Sequence, residues 1–139
     1  MRQPSHAIRI LSLLSLLLAF QLMLFAQPAL PAPVKLTDAD NNKSVQLAVG
    51  QRIEIRLPAN PTTGYSWLLQ GFPGCLELAN FSYASERKSI PGAGGTQTVE
   101  FLAASPGEGD LKIVYRRPWE KSDVPAAKTF SVKVTVLAK

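Results

Sequence analysis

Ile53, Ile55 and Leu57 alternate with Arg52, Glu54 and Arg56. A period of two puts every apolar side chain on one face of a strand and scatters them around a helix, so this run reads as a half-buried strand with one wet face. It stops at Asn60-Pro61-Thr62-Thr63-Gly64, and an aromatic run from Tyr65 to Gln70 leaves the other side. Pro61 fixes its own φ and pushes Asn60 toward extended backbone, while Gly64 accepts a turn conformation that a residue with a Cβ resists. The segment is therefore a stiff turn joining two strands, with the small hydroxyl side chains of Thr62 and Thr63 at its tip. Asn-Pro-x-x-Gly is also ordinary connecting chemistry, and taken alone a purely structural turn is the simpler reading.

The same alternation recurs along the chain. Val34 to Thr37 forms a short first strand, and Ser44 to Val49 and Gln51 to Leu57 form the next two, with Gly50 marking a bulge or kink between them. Asp38-Ala39-Asp40-Asn41-Asn42 opens like a calcium loop, but Lys43 stands where that loop needs Gly and Val49 where it needs Glu, so it reads as a turn. Trp67 lies on the core side of Tyr65 to Gln70. After Gly71-Phe72-Pro73-Gly74, the apolar residues Leu76, Leu78, Phe81 and Tyr83 change phase, which predicts a strand with a bulge. Ser85 to Gly95 is the longest stretch of low hydrophobicity and ends in Gly92-Ala93-Gly94-Gly95, a mobile loop by composition. No Lys-Ser or Lys-Thr follows those glycines, so a phosphate-binding loop is excluded. Thr96 to Ala103 alternates again, Pro106-Gly107-Glu108-Gly109 reads as a tight turn, and Leu111, Ile113 and Tyr115 run into Arg117-Pro118-Trp119. Lys128 to Leu137 closes the chain with Phe130, Val132, Val134 and Val136 on one face. Seven to eight short strands separated by Gly and Pro turns, with no sustained helical period, predict an all-β, immunoglobulin-like β-sandwich. An even number of strand crossings separates the Asn60–Gly64 turn, the Gly92–Gly95 loop and the Arg117–Trp119 loop, so all three fall at one end of it.

What the chain lacks narrows its chemistry. Its one histidine is His6 and its one cysteine is Cys75. A Ser-His-Asp or Cys-His site lacks its base, a zinc site lacks ligands, and a disulfide lacks its second sulfur. No pair of acids has a spacing that fixes both in one site, so no catalytic, metal or cofactor site is expected and no small-molecule substrate. Cys75, behind a Gly-Phe-Pro-Gly turn, reads as a small buried residue, with a reactive or intermolecular thiol as the alternative.

Arg2 and Arg9 precede Ile10 to Ala26, a run without charge, in the order of a secretory leader. Residues 1–26 are thus a signal peptide or, if uncleaved, a membrane anchor. Ala26 and Ala32 are candidate cut sites, although Leu24 and Leu30 stand where a second small residue is preferred. Gln27 to Pro33 is a Pro- and Ala-rich spacer and 34–139 the folded domain, exported to a periplasmic or extracellular space. Without residues 1–26 the chain has 13 basic and 10 acidic side chains. Arg87-Lys88 and Arg116-Arg117 are too short to track a phosphate backbone, so no nucleic-acid partner is expected, and a monomer is. Asn42-Lys43-Ser44 and Asn80-Phe81-Ser82 fit the glycosylation sequon.

The Asn-Pro-Thr-Thr-Gly turn with its aromatic pair, the Gly-x-Gly-Gly loop and the Arg-Pro-aromatic loop, in that order, make residues 34–139 resemble the chagasin family of proteinaceous inhibitors of papain-like cysteine peptidases. The first motif is the specific one. The resemblance implies a peptidase-binding surface of Asn60, Pro61, Thr62, Thr63, Gly64, Tyr65, Gly92, Ala93, Gly94, Gly95, Arg117, Pro118 and Trp119. It implies that Thr62, Thr63 and Gly64 enter the peptidase cleft beside its Cys-His pair, with the glycine loop along one side and Trp119 stacking on the other. The rival reading is a secreted Ig-like adhesion or carbohydrate-binding module whose end loops happen to carry these residues.

Overall fold

A computed structural model describes residues 31–86, 90 and 92–138. The expected leader and most of the spacer lie outside the described residues, as do 87–89 and 91 of the glycine-bearing loop. Residues 31–139 form a compact unit of their own.

Eight strands build it: β1 (Val34–Thr37), β2 (Ser44–Ala48), β3 (Arg52–Ala59), β4 (Ser66–Gly71), β5 (Leu76–Ser85), β6 (Gly95–Ala103), β7 (Gly107–Arg116) and β8 (Lys128–Leu137). They form two four-stranded sheets, ordered β1-β3-β6-β5 and β2-β8-β7-β4. Pairing is parallel for β1 with β3 and for β2 with β8, and antiparallel elsewhere. The expected immunoglobulin-like sandwich is what the chain adopts. Its core is the apolar set read from the alternation: Ile53, Ile55 and Leu57 of β3, Val99 and Phe101 of β6, Leu111 and Ile113 of β7, and Phe130, Val132 and Val134 of β8 are all essentially inaccessible to solvent. Because β6 alternates buried and half-buried without a break over nine residues, it can be central in its sheet. Strand β5 is outermost, so Leu78, Phe81 and Tyr83 remain exposed although they sit on the core-facing side. The predicted phase change within it is a register shift between Leu78 and Asn80.

One expected turn is not there. Gly107, Glu108 and Gly109 already belong to β7, paired with Val136, Thr135 and Val134, and the chain reverses at 104–106. The glycines serve close packing instead. A Cβ at Gly107 would stand 3.0 Å from Cys75 Cβ, and one at Gly109 would stand 2.7 Å from Pro73 Cβ, where the β4–β5 connection crosses β7. Cys75 is accordingly buried, in keeping with the small-apolar reading. Tyr65 precedes β4 rather than opening it.

The acidic turn after β1 is a 3-10 turn, Asp38–Asp40, followed by Asn42 at φ +64°. The Thr37 N–H donates to Asp40 Oδ2 at 2.9 Å and Lys43 Nζ to Asp40 Oδ1 at 2.9 Å. These hold the Asp40 carboxyl below its ordinary value, the Thr37 backbone bond foremost. A depressed folded-state value means stability that is fully present above the unfolded value of 3.8 and is lost as pH falls through the folded one. Asp40→Asn is expected to lower Tm slightly at pH 7, with the gap to wild type narrowing as pH falls below 3.8, which thermal unfolding across that range checks.

Candidate functional site

Three connections leave the same end of the sandwich. The β3–β4 link crosses from one sheet to the other, and the β5–β6 and β7–β8 links are hairpin ends. Ala59, Gly95 and Ser85 pair side by side at the rim of the first sheet, and Ser66 pairs with Arg116 at the rim of the second. The even number of strand crossings thus brings all three loops to one end, as expected.

The β3–β4 link is a single 3-10 turn, Pro61–Thr63, with Pro at its first position and Gly64 closing it at φ +81°. The Thr63 N–H donates to Asn60 O at 3.2 Å and the Gly64 N–H to Pro61 O at 2.9 Å. Proline supplies the starting φ and loses no hydrogen bond there, and only glycine reaches the closing conformation without strain. Pro61, Thr62 and Thr63 are all exposed. Gly64 has a second reason to lack a side chain. A Cβ there would stand 2.6 Å from Trp119 Cη2, so the Trp119 ring lies directly over it.

Trp119 is 71% exposed, by far the most exposed large apolar side chain of the described residues. Its loop is held from beneath. The Arg116 guanidinium donates to the carbonyls of Glu120 (3.1 Å) and Lys121. The Arg117 guanidinium lies 4.6 Å from the centre of the Tyr65 ring, and its Nε is 3.5 Å from Thr63 O. Tyr65 stacks on Tyr115 at 5.4 Å, and Tyr115 meets Trp67 at 5.0 Å. Arg117, Tyr65, Tyr115 and Trp67 thus form a column from the loop surface into the core. Such ring-on-ring and cation-on-ring contacts each add on the order of 1 kcal/mol beyond burial. Tyr65, expected at the contact surface, is half-buried within this column.

The glycine loop meets the turn through Asn60, whose Nδ2 donates to Gly92 O at 3.3 Å. Gly92 is exposed at φ +81°, and Ala93 and Gly94 are half-buried. Gly95 departs from the expected loop. It is the first residue of β6 and buried, with the Tyr83 ring laid over it so that a Cβ would come 2.6 Å from the Tyr83 hydroxyl and collide with the Ala84 carbonyl. Its lack of a side chain is explained by packing at the sheet rim. The remaining expected residues, Pro118 among them, share one end of the molecule.

Two further residues support the site: Gln97, which the alternation leaves unremarked, and Tyr115, which it places in a strand without a role. Gln97 is buried on the core face of β6; its Oε1 accepts from Trp67 N–H at 3.1 Å and its Nε2 donates to Trp67 O at 2.9 Å. Tyr115 accepts from Asn60 N–H at 3.0 Å. Gln97 shares the phase of Val99 and Phe101, and a polar side chain at an apolar position was the available signal.

A groove of about 460 Å³ lies on the outer face of the first sheet, lined in part by Thr37, Arg56, Thr96 and Thr98. It brings no nucleophile to a base. Among the described residues no cluster of His, Cys, Asp and Glu is disposed to hold a metal ion.

Residues 46–134 match the family described as Chagasin family peptidase inhibitor I42. Amoebiasin-1 of Entamoeba histolytica is 36% identical over 105 residues, covering 74% of this chain and 99% of that protein. Chagasin of Trypanosoma cruzi is 38% identical over 92 residues, covering 61% of this chain and 82% of that protein. The crystal structure of a cysteine protease inhibitor from Entamoeba histolytica, EhICP2, superposes with a TM-score of 0.70 over 80% of this chain and all of that one; at 23% identity it speaks for the fold.

Proposed function

The chain belongs to the chagasin family of peptidase inhibitors, and from that premise we propose that it blocks papain-like cysteine peptidases with the three loops gathered at one end of its sandwich. It is an inhibitor and not an enzyme. The observation that carries the site assignment is the contact of Trp119 with Gly64, which welds the most exposed aromatic ring to an exposed, internally hydrogen-bonded turn. A turn held by the Thr63 and Gly64 amides and by both threonine hydroxyls loses little freedom on docking, and a large exposed ring at its flank is the usual anchor of such a surface.

In this reading Thr62, Thr63 and Gly64 enter the cleft beside the peptidase's Cys-His pair. The 3-10 turn keeps the carbonyls of Pro61 and Asn60 engaged with the Gly64 and Thr63 amides, so the Thr62-Thr63 tip does not run extended across the thiolate as a cleavable peptide does. Inhibition is occupation without chemistry and is reversible. Gly92, Ala93 and Gly94 line one side, where missing side chains let backbone groups approach the peptidase, and Arg117, Pro118 and Trp119 brace the other. Arg2 and Arg9 ahead of the uncharged run Ile10 to Ala26 support export by a signal peptide, which puts the inhibitor outside the cytoplasm. The adhesion-module reading has no observation in its favour.

Titration of residues 31–139 into active papain, following hydrolysis of a fluorogenic peptide, tests the proposal. Stoichiometric, reversible loss of activity with the inhibitor uncut is expected; a folded domain without effect at micromolar concentration would overturn it. Trp119→Ala is expected to raise Ki roughly 10- to 100-fold, as for a large aromatic anchor. With most of its surface in water, its removal should move Tm by no more than a few degrees.

A further inference from the structure

Every polar atom of Asn60 is engaged, and together the bonds reach β7, the tip of the turn and the glycine loop. Its N–H donates to Tyr115 Oη at 3.0 Å, anchoring it to β7. Its carbonyl accepts the Thr63 N–H at 3.2 Å and the Thr63 hydroxyl at 2.7 Å. Its Oδ1 accepts the Thr62 hydroxyl at 2.6 Å, and its Nδ2 donates to Gly92 O at 3.3 Å. The orientation of the amide follows from its partners. A hydroxyl donates or accepts, but the Gly92 carbonyl only accepts, so the nitrogen must face Gly92.

We propose that Asn60 is a positioning residue and not a peptidase contact: it fixes the Thr62-Thr63 tip, ties the tip to the Gly92 loop, and thereby keeps the tip from being cleaved. This rests on the reading of the turn as the segment that enters the cleft. The side chain is half-buried and spends both ends internally, so it has little left to offer a partner. Because both threonine hydroxyl protons point back to Asn60, the tip presents methyl groups and oxygen lone pairs outward. A peptide is cleaved when it extends across the nucleophile, and the bonds to Asn60 are what hold the tip in a closed turn. No other side chain of this reach serves. Aspartate keeps the acceptor for Thr62 but sets a carboxylate against the Gly92 carbonyl, and alanine reaches neither partner.

The test compares residues 31–139 as wild type, Asn60→Asp, Asn60→Ala and Thr62→Val. Thr62→Val removes the other end of the link at an exposed position and guards against a misfolded Asn60 variant. Three quantities are read: Ki against papain, mass spectra after prolonged incubation with papain, and amide exchange at 92–94 and 63–64 in the free protein. With the turn less populated in its competent form, Ki is expected to rise about 10- to 100-fold in the Asn60 variants and less in Thr62→Val. Fragments separated within 60–64, their masses summing to the chain plus one water, are expected for the variants and not for wild type. Exchange at Ala93 and Gly94 is expected to quicken in the Asn60 variants, with Tm little changed. Folded variants that inhibit like wild type and stay intact overturn the proposal, as does unchanged exchange at both segments. A wild type that fails to inhibit papain removes the reading on which the proposal rests, and is recognised by the absence of inhibition before any variant is compared.

Discussion

Thr63→Glu is expected to raise Ki against papain at least 100-fold while leaving the domain folded. The Thr63 side chain is exposed, and its one internal bond is the hydroxyl donation to Asn60 O at 2.7 Å. Losing an exposed hydrogen bond costs about 0.5–1.5 kcal/mol, and a domain of this size loses roughly 4–8 °C in Tm per kcal/mol. In the complex the penalty is of another order. A carboxylate driven into a cleft beside a thiolate is repelled by it, and the one nearby cation, the imidazolium, is already paired with that thiolate; stripping a poorly compensated charge of water costs several kcal/mol. A 100-fold rise in Ki corresponds to only about 2.7 kcal/mol, so it is a lower bound. Ser105→Glu, an equal charge in the exposed β6–β7 connection at the opposite end, is the control and should leave Ki unchanged. Inhibition kinetics and thermal unfolding of the same preparations decide the matter. If Ki and stability decline in proportion, or Ser105→Glu is as damaging, Thr63 does not enter the cleft.

How much of this was legible in the chain follows from which forces act locally. Strand period, Pro61 and Gly64 act within a few residues, so the sandwich, the 3-10 turn and the shared end of three loops could be read from sequence. Residues that owe their type to a distant neighbour were harder. Gly107 and Gly109 look like a turn until Cys75 and Pro73 are seen pressed against them, and Gly95 looks like loop until Tyr83 is seen covering it. Tyr65 looks like a contact residue because it adjoins the turn, yet Tyr115 and Arg117 lie on its two sides. In each case the deciding partner is tens of residues away, or lies on a strand whose position depends on sheet order, which alternation does not encode. The same holds for Asn60. Pro61 explains its extended backbone, but its link to Gly92 across the loop end exists only once β3 and β6 are paired.

Gln97→Leu is expected to cost about 2–6 kcal/mol of folding stability, the largest stability effect argued for this domain, and with it at least about 8 °C of Tm. The two side chains are close in volume, so the change leaves little cavity and isolates the hydrogen bonds. Gln97 belongs to β6 of the first sheet and Trp67 to β4 at the edge of the second, and the Gln97 amide binds both the N–H and the C=O of Trp67. Sandwiches are held face to face by apolar contact, which sets distance but not lateral position; this amide pair adds a directional tie between the layers. Leucine would leave two backbone groups buried without partners, each costing about 1–3 kcal/mol. The tie also bears on the inhibitory end, because the Trp67 indole N–H donates to Pro58 O at 2.9 Å, two residues before Asn60, and its ring supports Tyr115. Denaturant unfolding gives the stability change directly, and a loss below about 1 kcal/mol would mean that water enters and replaces the amide. Measured well below its lowered Tm, Gln97→Leu should still inhibit within a few-fold of wild type. Thr63→Glu does the reverse, losing inhibition while keeping its fold. Opposite outcomes in the two variants would separate the residues that build the platform from those that meet the peptidase, even though Trp67 and Thr63 are only four positions apart in the chain.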